Sequence, residues 1–155
     1  MDSRLYIKRS ENELKLASII YKISKNPKIQ RDTFDMADPE TYYSATIAHS
    51  YYSIFYMARA YLSIKGIIIT APKEHKKTFE EFKKFVDNGE LDVELLKIYQ
   101  KAIIRAEVLL GILKEEKSKR GEFTYRTLPQ ANETPAQESI KNAQFFYKHI
   151  YAVLH

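Results

Sequence analysis

The chain has 155 residues, a formal net charge of +5, four glycines, five prolines and no cysteine. Its length suits one domain with a sizeable core, predicted over residues 1–155, and the lack of cysteine excludes disulfides, thiolate zinc sites and cysteine nucleophiles. No apolar run reaches the roughly 18 residues of a membrane span, and the N-terminus lacks the apolar segment of a signal peptide. We therefore expect a cytoplasmic protein without membrane contact.

The first predicted helix begins at Ser10, because Ser10 and Glu13 have the spacing of a capping box. It ends at Asn26–Pro27, since the residue before a proline avoids the helical region. Residues 28–40 have no clear period, so we predict a connection there with at most a short helical turn near residues 33–36.

The central helix, predicted from about Asp38 to Lys65 and capped by Gly66, is apolar almost all the way round. Residues at spacings of four and three form its packing stripe: Ser44, Ala48, Tyr51, Phe55, Ala58 and Leu62, widened by Ile47, Ile54 and Tyr61. A helix buried over most of its circumference belongs in the middle of a bundle or under a dimer partner.

One side of the central helix is polar, and we call its four residues, His49, Tyr52, Tyr56 and Arg59, the polar seam. They fall within about 80° of one another at roughly 100° per residue. Two interpretations stay open: these long side chains fill a wet interface, or they contact a ligand or a subunit.

The next segment, Ile67–Thr70, resembles a strand but has no neighbour to pair with, so we interpret it as a buried connection. A third helix follows Pro72, with His75 and three apolar residues on one face, and ends at Asn88–Gly89. On an apolar stripe, a histidine is more often a packing or capping residue than a catalytic one.

Two more helices are predicted, the fourth over about Leu91–Lys119 and the fifth from the capping box at Thr134–Gln137. Their narrow, regular apolar stripes favour near-parallel packing at about 20°. The predicted fold class is all-α, an antiparallel up-and-down bundle of about five helices.

Three segments in chain order carry a family resemblance: residues 50–60 (SYYSIFYMARA), Pro72–His75 with the phenylalanines that follow, and residues 135–154. Together they resemble the HEPN family (higher eukaryotes and prokaryotes nucleotide-binding), in particular its small stand-alone prokaryotic members. The resemblance implies a helical bundle that usually forms a homodimer, often encoded beside a minimal nucleotidyltransferase. Many members are metal-independent ribonucleases that use an Arg and a His with four to six residues between them.

The matching place in this sequence begins at Arg120, but positions 125 to 127 are Tyr, Arg and Thr, so the family's motif lacks its His. Weak catalytic candidates are Arg120, Tyr125 and His49. A free phenol has a pKa of about 10, which makes Tyr125 a poor base, and an arginine cannot transfer protons. His49 could supply an imidazole if the central helix faced Arg120 in a dimer. By analogy with toxin–antitoxin partners, Tyr125 is also a candidate for nucleotidylation.

A basic cluster at the same place is a candidate for binding a nucleotide or RNA phosphate: Arg120, Arg126, Lys117 and Lys119. The alternative is a solvated helix end, where such residues complement the helix dipole. The aromatic residues of the central helix could stack bases, although at helical spacing they are more often core: Tyr42, Tyr43, Tyr51, Tyr52, Phe55 and Tyr56. His149 is predicted to be exposed, and no metal site or cofactor is expected.

The sequence thus predicts a HEPN-like dimeric helical module that binds a nucleotide, RNA or a minimal nucleotidyltransferase partner, without efficient catalysis. One alternative is a metal-independent, toxin-type endoribonuclease that uses Arg120. Another is a plain helical protein-interaction module.

Overall fold

The structure, a computed structural model, describes residues 2–110 and 133–155 and is helical in both ranges, with no strand in either. The helices of these ranges are α1 Ser3–Ser24, α2 Pro27–Phe34, α3 Tyr43–Ile64, α4 Glu74–Asp87, α5 Val93–Leu110 and α6 Glu133–Leu154. The predicted all-α fold, a helical bundle, is confirmed.

The helix at the centre of the bundle is α3, which contacts α1, α4, α5 and α6. Its predicted packing stripe is buried from Ala48 to Leu62, and Ile47, Ile54 and Tyr61 are buried with it. Beyond α3, the core is aromatic: Phe82 of α4, Tyr99 of α5 and Phe146 of α6 meet at ring-centroid distances of 5.4–5.8 Å. The interpretation of α3 as the middle of a bundle is therefore correct.

Helix α1 begins seven residues earlier than predicted, because Asp2 caps it by accepting a hydrogen bond from the Arg4 backbone N–H at 3.0 Å. Ser10 is not a cap but a buried residue in mid-helix. Its hydroxyl donates to the Ser53 carbonyl of α3 at 2.7 Å. The capping-box prediction was wrong because a small serine also suits a close helix–helix crossing, where its hydroxyl bonds across the interface.

The predicted connection at residues 28–40 was also wrong in part, because α2 forms there. The Asn26 side chain accepts the Ile29 N–H at 3.0 Å, and Pro27 occupies the first turn. Buried Gln30 then exchanges two 2.8 Å hydrogen bonds with the backbone of Glu40. These bonds hold the segment before α3 in a non-helical conformation, which explains why α3 begins at Tyr43 and not at Asp38.

The remaining boundaries agree more closely with the sequence. The segment Ile67–Thr70 forms no strand, but it is only partly buried, since Ile68 is 86 % exposed and the isoleucines on either side of it are half-buried. Helix α5 begins at Val93, and its predicted continuation to Lys119 lies outside the described residues. Helix α6 begins at Glu133, one residue before the predicted capping box.

Candidate functional site

The polar seam lies along the pairing of α1 with α3. The two helices run antiparallel, since Ser24 of α1 accepts the Tyr42 N–H at 2.8 Å while Ser10 contacts Ser53 farther along α3. Helix α6 contacts both helices, and Tyr147 near its C-terminal end is half-buried against the core. The seam residues contact α1 and the start of α4, and three of them remain half-exposed between these elements.

His49 is held by a carboxylate of the facing helix. Its Nδ1 lies 2.5 Å from Oε2 of Glu13, and both side chains are partly exposed. A carboxylate only accepts, so the Nδ1 of His49 carries the proton, and the Glu13 contact fixes the ring orientation. Within the described ranges, Nε2 of His49 has no hydrogen-bond partner.

The two tyrosines of the seam form a short row of rings. Tyr52 and Tyr56 stack at 6.4 Å, and Tyr6 of α1 stacks on Tyr56 at the same distance. The Arg9 guanidinium lies over the Tyr56 ring at 5.5 Å, a cation–π geometry. Burial raises the pKa of the Tyr52 phenol, which is therefore neutral. Arg9 itself is exposed and forms no ion pair in the part of the chain that the structure describes.

Arg59 is almost enclosed, with a side chain only 11 % exposed, and its hydrogen bonds make it a structural clamp. Its guanidinium donates to the Tyr6 hydroxyl at 2.7 Å, to Glu74 Oε2 at 3.2 Å and to the Ile69 carbonyl at 3.3 Å. It thereby ties α1, the segment before α4 and α4 itself to α3. Because three of its five N–H donors are in use and the side chain is almost enclosed, Arg59 is unsuited to binding a ligand phosphate.

His75 is partly buried and packs against core residues beside the seam. Its Nδ1 lies 2.7 Å from the Tyr51 hydroxyl, and its ring stacks on Phe55 at 4.1 Å. Burial lowers the pKa of His75, although the neighbouring Glu74 carboxylate opposes that shift. These contacts make it the packing histidine that its position on the apolar stripe indicates. Because Tyr51 and Phe55 are themselves buried, neither offers a ring face for base stacking.

The sequence missed an apolar groove that continues the seam toward the start of α3. The groove has a volume of about 340 Å³ and is lined by Ile20, Ile23, Phe34, Met36, Tyr42 and Ala45. Ala45 lies one turn before His49, so groove and seam are contiguous. No sequence signal pointed to the groove, because one of its walls is Phe34 at the end of the unpredicted helix α2.

The outer edge of α1 completes this surface. Leu5, Arg9, Leu16, Ile20 and Ile23 follow at spacings of four, seven, four and three, which places them on one stripe. Leu16 is 40 % exposed and Leu5 more so. We call this stripe, the apolar groove and the seam residues His49, Tyr52 and Tyr56 together the open α1–α3 face.

A second polar cluster joins α5 to α6 and was also missed. Arg105 donates to Glu138 Oε2 at 3.0 Å and to the Ser139 hydroxyl at 3.2 Å, and Lys101 pairs with the same Glu138. The basic groups of this cluster thus have partners on α6, and we interpret it as a tie between the two helices. His149 is exposed as predicted, although its ring stacks on Phe145.

The predicted basic cluster does not fall within the described ranges. Lys117, Lys119, Arg120, Tyr125 and Arg126 all lie outside them, so the predictions made for these residues stay predictions. Among the described residues, no helix is long and apolar enough to cross a membrane, and no group of three or more histidines and carboxylates could hold a metal ion.

Comparison with known proteins adds no relative: no protein-family model matches this chain, and it matches neither a curated protein nor a solved structure.

Proposed function

We propose that this protein is a HEPN-like helical binding module whose open α1–α3 face docks onto a protein partner. The observation that carries the proposal is the continuity of this face, in which an apolar groove, exposed leucines and a row of tyrosines follow one pair of helices. Contiguous exposed apolar surface with a polar surround is typical of interaction sites.

The residue types of the open α1–α3 face fit protein recognition. Tyrosine and arginine are enriched at the energetic centres of protein interfaces, where their large side chains bury apolar area and keep a polar end. Tyr52, Tyr56 and Arg9 supply that combination, and the exposed Leu16 lies two turns farther along the same stripe of α1.

The polar groups of the face are already oriented before a partner binds. Glu13 fixes the ring of His49, and Tyr56 is held between Tyr6 and Arg9. A preorganised surface loses less side-chain entropy on association, so more of the contact energy appears as affinity.

The docking proposal is tested by one matched pair of variants. Leu16→Asp puts a charge into the face, and Val93→Asp puts the same charge on α5 at a residue that is 56 % exposed. We expect Leu16→Asp alone to abolish binding to a minimal nucleotidyltransferase from the same genome, or to the chain itself, measured by sedimentation and calorimetry. Wild-type protein that binds neither, or that binds equally well with Leu16→Asp, would contradict the proposal.

The nucleotide- or RNA-binding part of the proposal is supported by the family resemblance and the basic cluster Lys117, Lys119, Arg120 and Arg126. Phosphate contacts release counterions, so we expect RNA binding to weaken steeply as salt rises. Replacing Arg120 and Arg126 by Gln should lower the salt dependence, whereas replacing the exposed Lys22 and Lys97 by Gln should not. RNA binding that is absent, or equally affected by both pairs, would remove this part of the proposal.

A second candidate function, metal-independent RNA cleavage, is favoured by the imidazole of His49 that Glu13 orients. An oriented histidine whose second nitrogen has no partner among the described residues can act as a general base, worth roughly 10²–10⁴-fold in rate. The test is cleavage of a mixed RNA in chelator by wild type, Arg120→Ala and His49→Gln. Cleavage that requires both side chains would support an enzyme, and no cleavage by wild type would leave the binding module.

A further inference from the structure

We infer that the apolar groove of the open α1–α3 face binds a basic peptide segment of a partner protein, in which two neighbouring apolar side chains are flanked by lysine or arginine. This inference rests on the proposed docking function of the face and names the chemistry of the partner at one end of it. Its support comes from the volume of the groove, the exposure of its walls and the charge beside it.

The volume of the groove sets how much of the partner enters it. The groove has a volume of about 340 Å³. An apolar cavity of about 150 Å³ holds one benzene ring, so this groove has room for two groups of that size. Two apolar side chains on one face of a short helix, three or four positions apart, supply such a pair. A single apolar side chain would leave much of the groove unfilled.

The exposure of the walls favours a peptide over a small molecule. Phe34 is 52 % exposed and Tyr42 is 37 % exposed, so these walls are open to solvent. Pockets for small molecules usually enclose roughly 70–90 % of the ligand surface. A small molecule in this groove would remain partly exposed, whereas a peptide covers its own anchoring side chains with its backbone and neighbouring residues. Met36 lines the same groove, and its flexible side chain can adapt to different apolar groups.

The charge beside the groove is negative. Residues 35–40 directly follow the groove residue Phe34 and contain three exposed carboxylates and no basic residue: Asp35, Asp38 and Glu40. Within the described ranges, none of the three forms an ion pair, although Glu40 accepts the Tyr42 hydroxyl at 2.7 Å. Helix α2 also ends at Phe34, and the C-terminal end of a helix carries a partial negative charge. Lysine or arginine in the partner complements this end of the groove.

The same negative charge decides between two classes of macromolecule. Carboxylates repel the phosphates of a nucleic acid, and the basic residue of the last turn of α2, Arg31, is already paired with Asp32 at 3.3 Å. The chain as a whole has a formal net charge of +5, so the acidic segment is a local exception. Such a local charge selects basic peptides and rejects acidic ones, because like charges at an interface are unfavourable.

Selection from a library of short random peptides displayed on phage tests this chemistry. The wild-type chain should enrich peptides with two apolar residues three or four positions apart beside lysine or arginine. Asp35→Lys with Asp38→Lys should enrich acidic peptides instead. The matched control is Glu80→Lys with Asp87→Lys, the same change of charge at exposed residues of α4, and it should keep the wild-type preference. Circular dichroism checks that each variant folds.

Calorimetry with the best selected peptide tests the place of binding. Ala45 is half-buried and lines the groove, so Ala45→Phe fills the groove from α3. We expect this change to weaken binding by about tenfold or more, the usual loss when a central contact of an interface is removed. Ala152→Phe, at an exposed residue of α6, is the matched control and should bind like the wild type.

Methyl NMR of the wild-type chain gives a second readout that does not depend on the folding of any variant. Addition of the selected peptide should shift the methyl signals of Ile20 and Ile23, which line the groove, and leave that of Ile104, which is 64 % exposed on α5. Shifts at Ile104 without shifts at Ile20 and Ile23 would overturn the inference.

The other results also have a definite meaning. No enriched peptide, or acidic peptides enriched by the wild type, would overturn the inference. Enriched peptides that match a segment of this chain would assign the groove to another copy of the chain, which also overturns it. If Leu16→Asp abolished binding of a partner protein while folded Ala45→Phe bound it normally, the docking proposal would stand and only the inference about the groove would be wrong.

Discussion

The two sides of α3 carry the same kinds of residue but differ in how far those residues are exposed to solvent. Toward α4, α5 and α6 its aromatic and aliphatic side chains enter a core in which Phe82, Tyr99 and Phe146 are fully buried and which, among the described residues, contains no charged side chain. Toward α1 the tyrosines Tyr52 and Tyr56 are half-exposed, and the Arg9 guanidinium lies over the Tyr56 ring. We call the side of α3 that faces α4, α5 and α6 the closed side, because it excludes water. The side that faces α1 is the open side, because it remains partly accessible to water.

This difference separates stability from recognition. Free energy of folding scales with the apolar area removed from water, so most of it comes from the closed side. The half-exposed groups of the open side contribute through hydrogen bonds and ion pairs that water weakens, and such pairs add little when exposed. What the open side supplies instead is an ordered surface, and variants on the two sides should therefore affect different measurements.

The largest expected effect is on the closed side. Phe82→Ala removes a fully buried ring from the aromatic core and should lower the free energy of unfolding by about 3–5 kcal/mol. Tyr52→Ala on the open side should cost clearly less, because its ring is half-exposed. Urea denaturation of both variants measures this contrast, and equal losses would break the comparison.

A smaller loss is expected at Arg59, the one seam residue that is almost fully enclosed. Arg59→Leu removes the donors to Tyr6, Glu74 and the Ile69 carbonyl and should cost about 2 kcal/mol in the free energy of unfolding. Amide exchange should accelerate in the segment before α4. Arg59→Lys keeps the charge but not the planar fork, so it should restore only part of the loss. Full restoration by lysine would show that charge alone matters there.

On the closed side, Tyr99→Phe should stabilise the protein slightly, against the usual direction of a core substitution. The Tyr99 hydroxyl is buried and has no hydrogen-bond partner among the described residues, and burial raises its pKa. Removing an unsatisfied hydroxyl avoids a desolvation cost of about 1 kcal/mol. Thermal and urea unfolding measure the change, and a clear destabilisation would mean that the hydroxyl has a partner, such as a buried water.

The smallest expected effect is a pH dependence that arises beside the seam. Burial lowers the pKa of His75, so the unfolded chain binds a proton more readily than the folded one. The free energy of unfolding should then fall as the pH drops below about 6.5, the unfolded value. His75→Gln should flatten this dependence in urea titrations at several pH values. The exposed His149→Gln is the control, and an unchanged slope in His75→Gln would contradict the assignment.

Sequence patterns predicted the closed side well and the open side poorly. The stripe from Ala48 to Leu62 follows from helical periodicity, because burial on one face imposes that spacing whatever the partners are. The same reasoning grouped the polar seam but could not show that Arg59 is a clamp, since its partners Tyr6 and Glu74 come from distant parts of the chain. The capping-box rule, which considers only neighbouring residues, likewise assigned Ser10 to a helix cap, although its hydroxyl bonds to another helix.

The apolar groove shows the same limit. Helix α2 is short, and its position depends on Gln30, whose side chain bonds to the backbone of Glu40 ten residues later. The hydrophobic periodicity of residues 28–40 gives no indication of that hydrogen bond. Consequently the wall that Phe34 contributes to the groove could be seen only in three dimensions.

The most direct test of the open α1–α3 face as a docking surface is hydroxyl-radical footprinting of the protein in dilute and concentrated solution, and with a minimal nucleotidyltransferase. Leu16 and Tyr52 should become protected when a partner binds, while the exposed Val93 and Ile104 of α5 should react at unchanged rates. Reactivity of Leu16 and Tyr52 that stays constant under every condition would contradict the account.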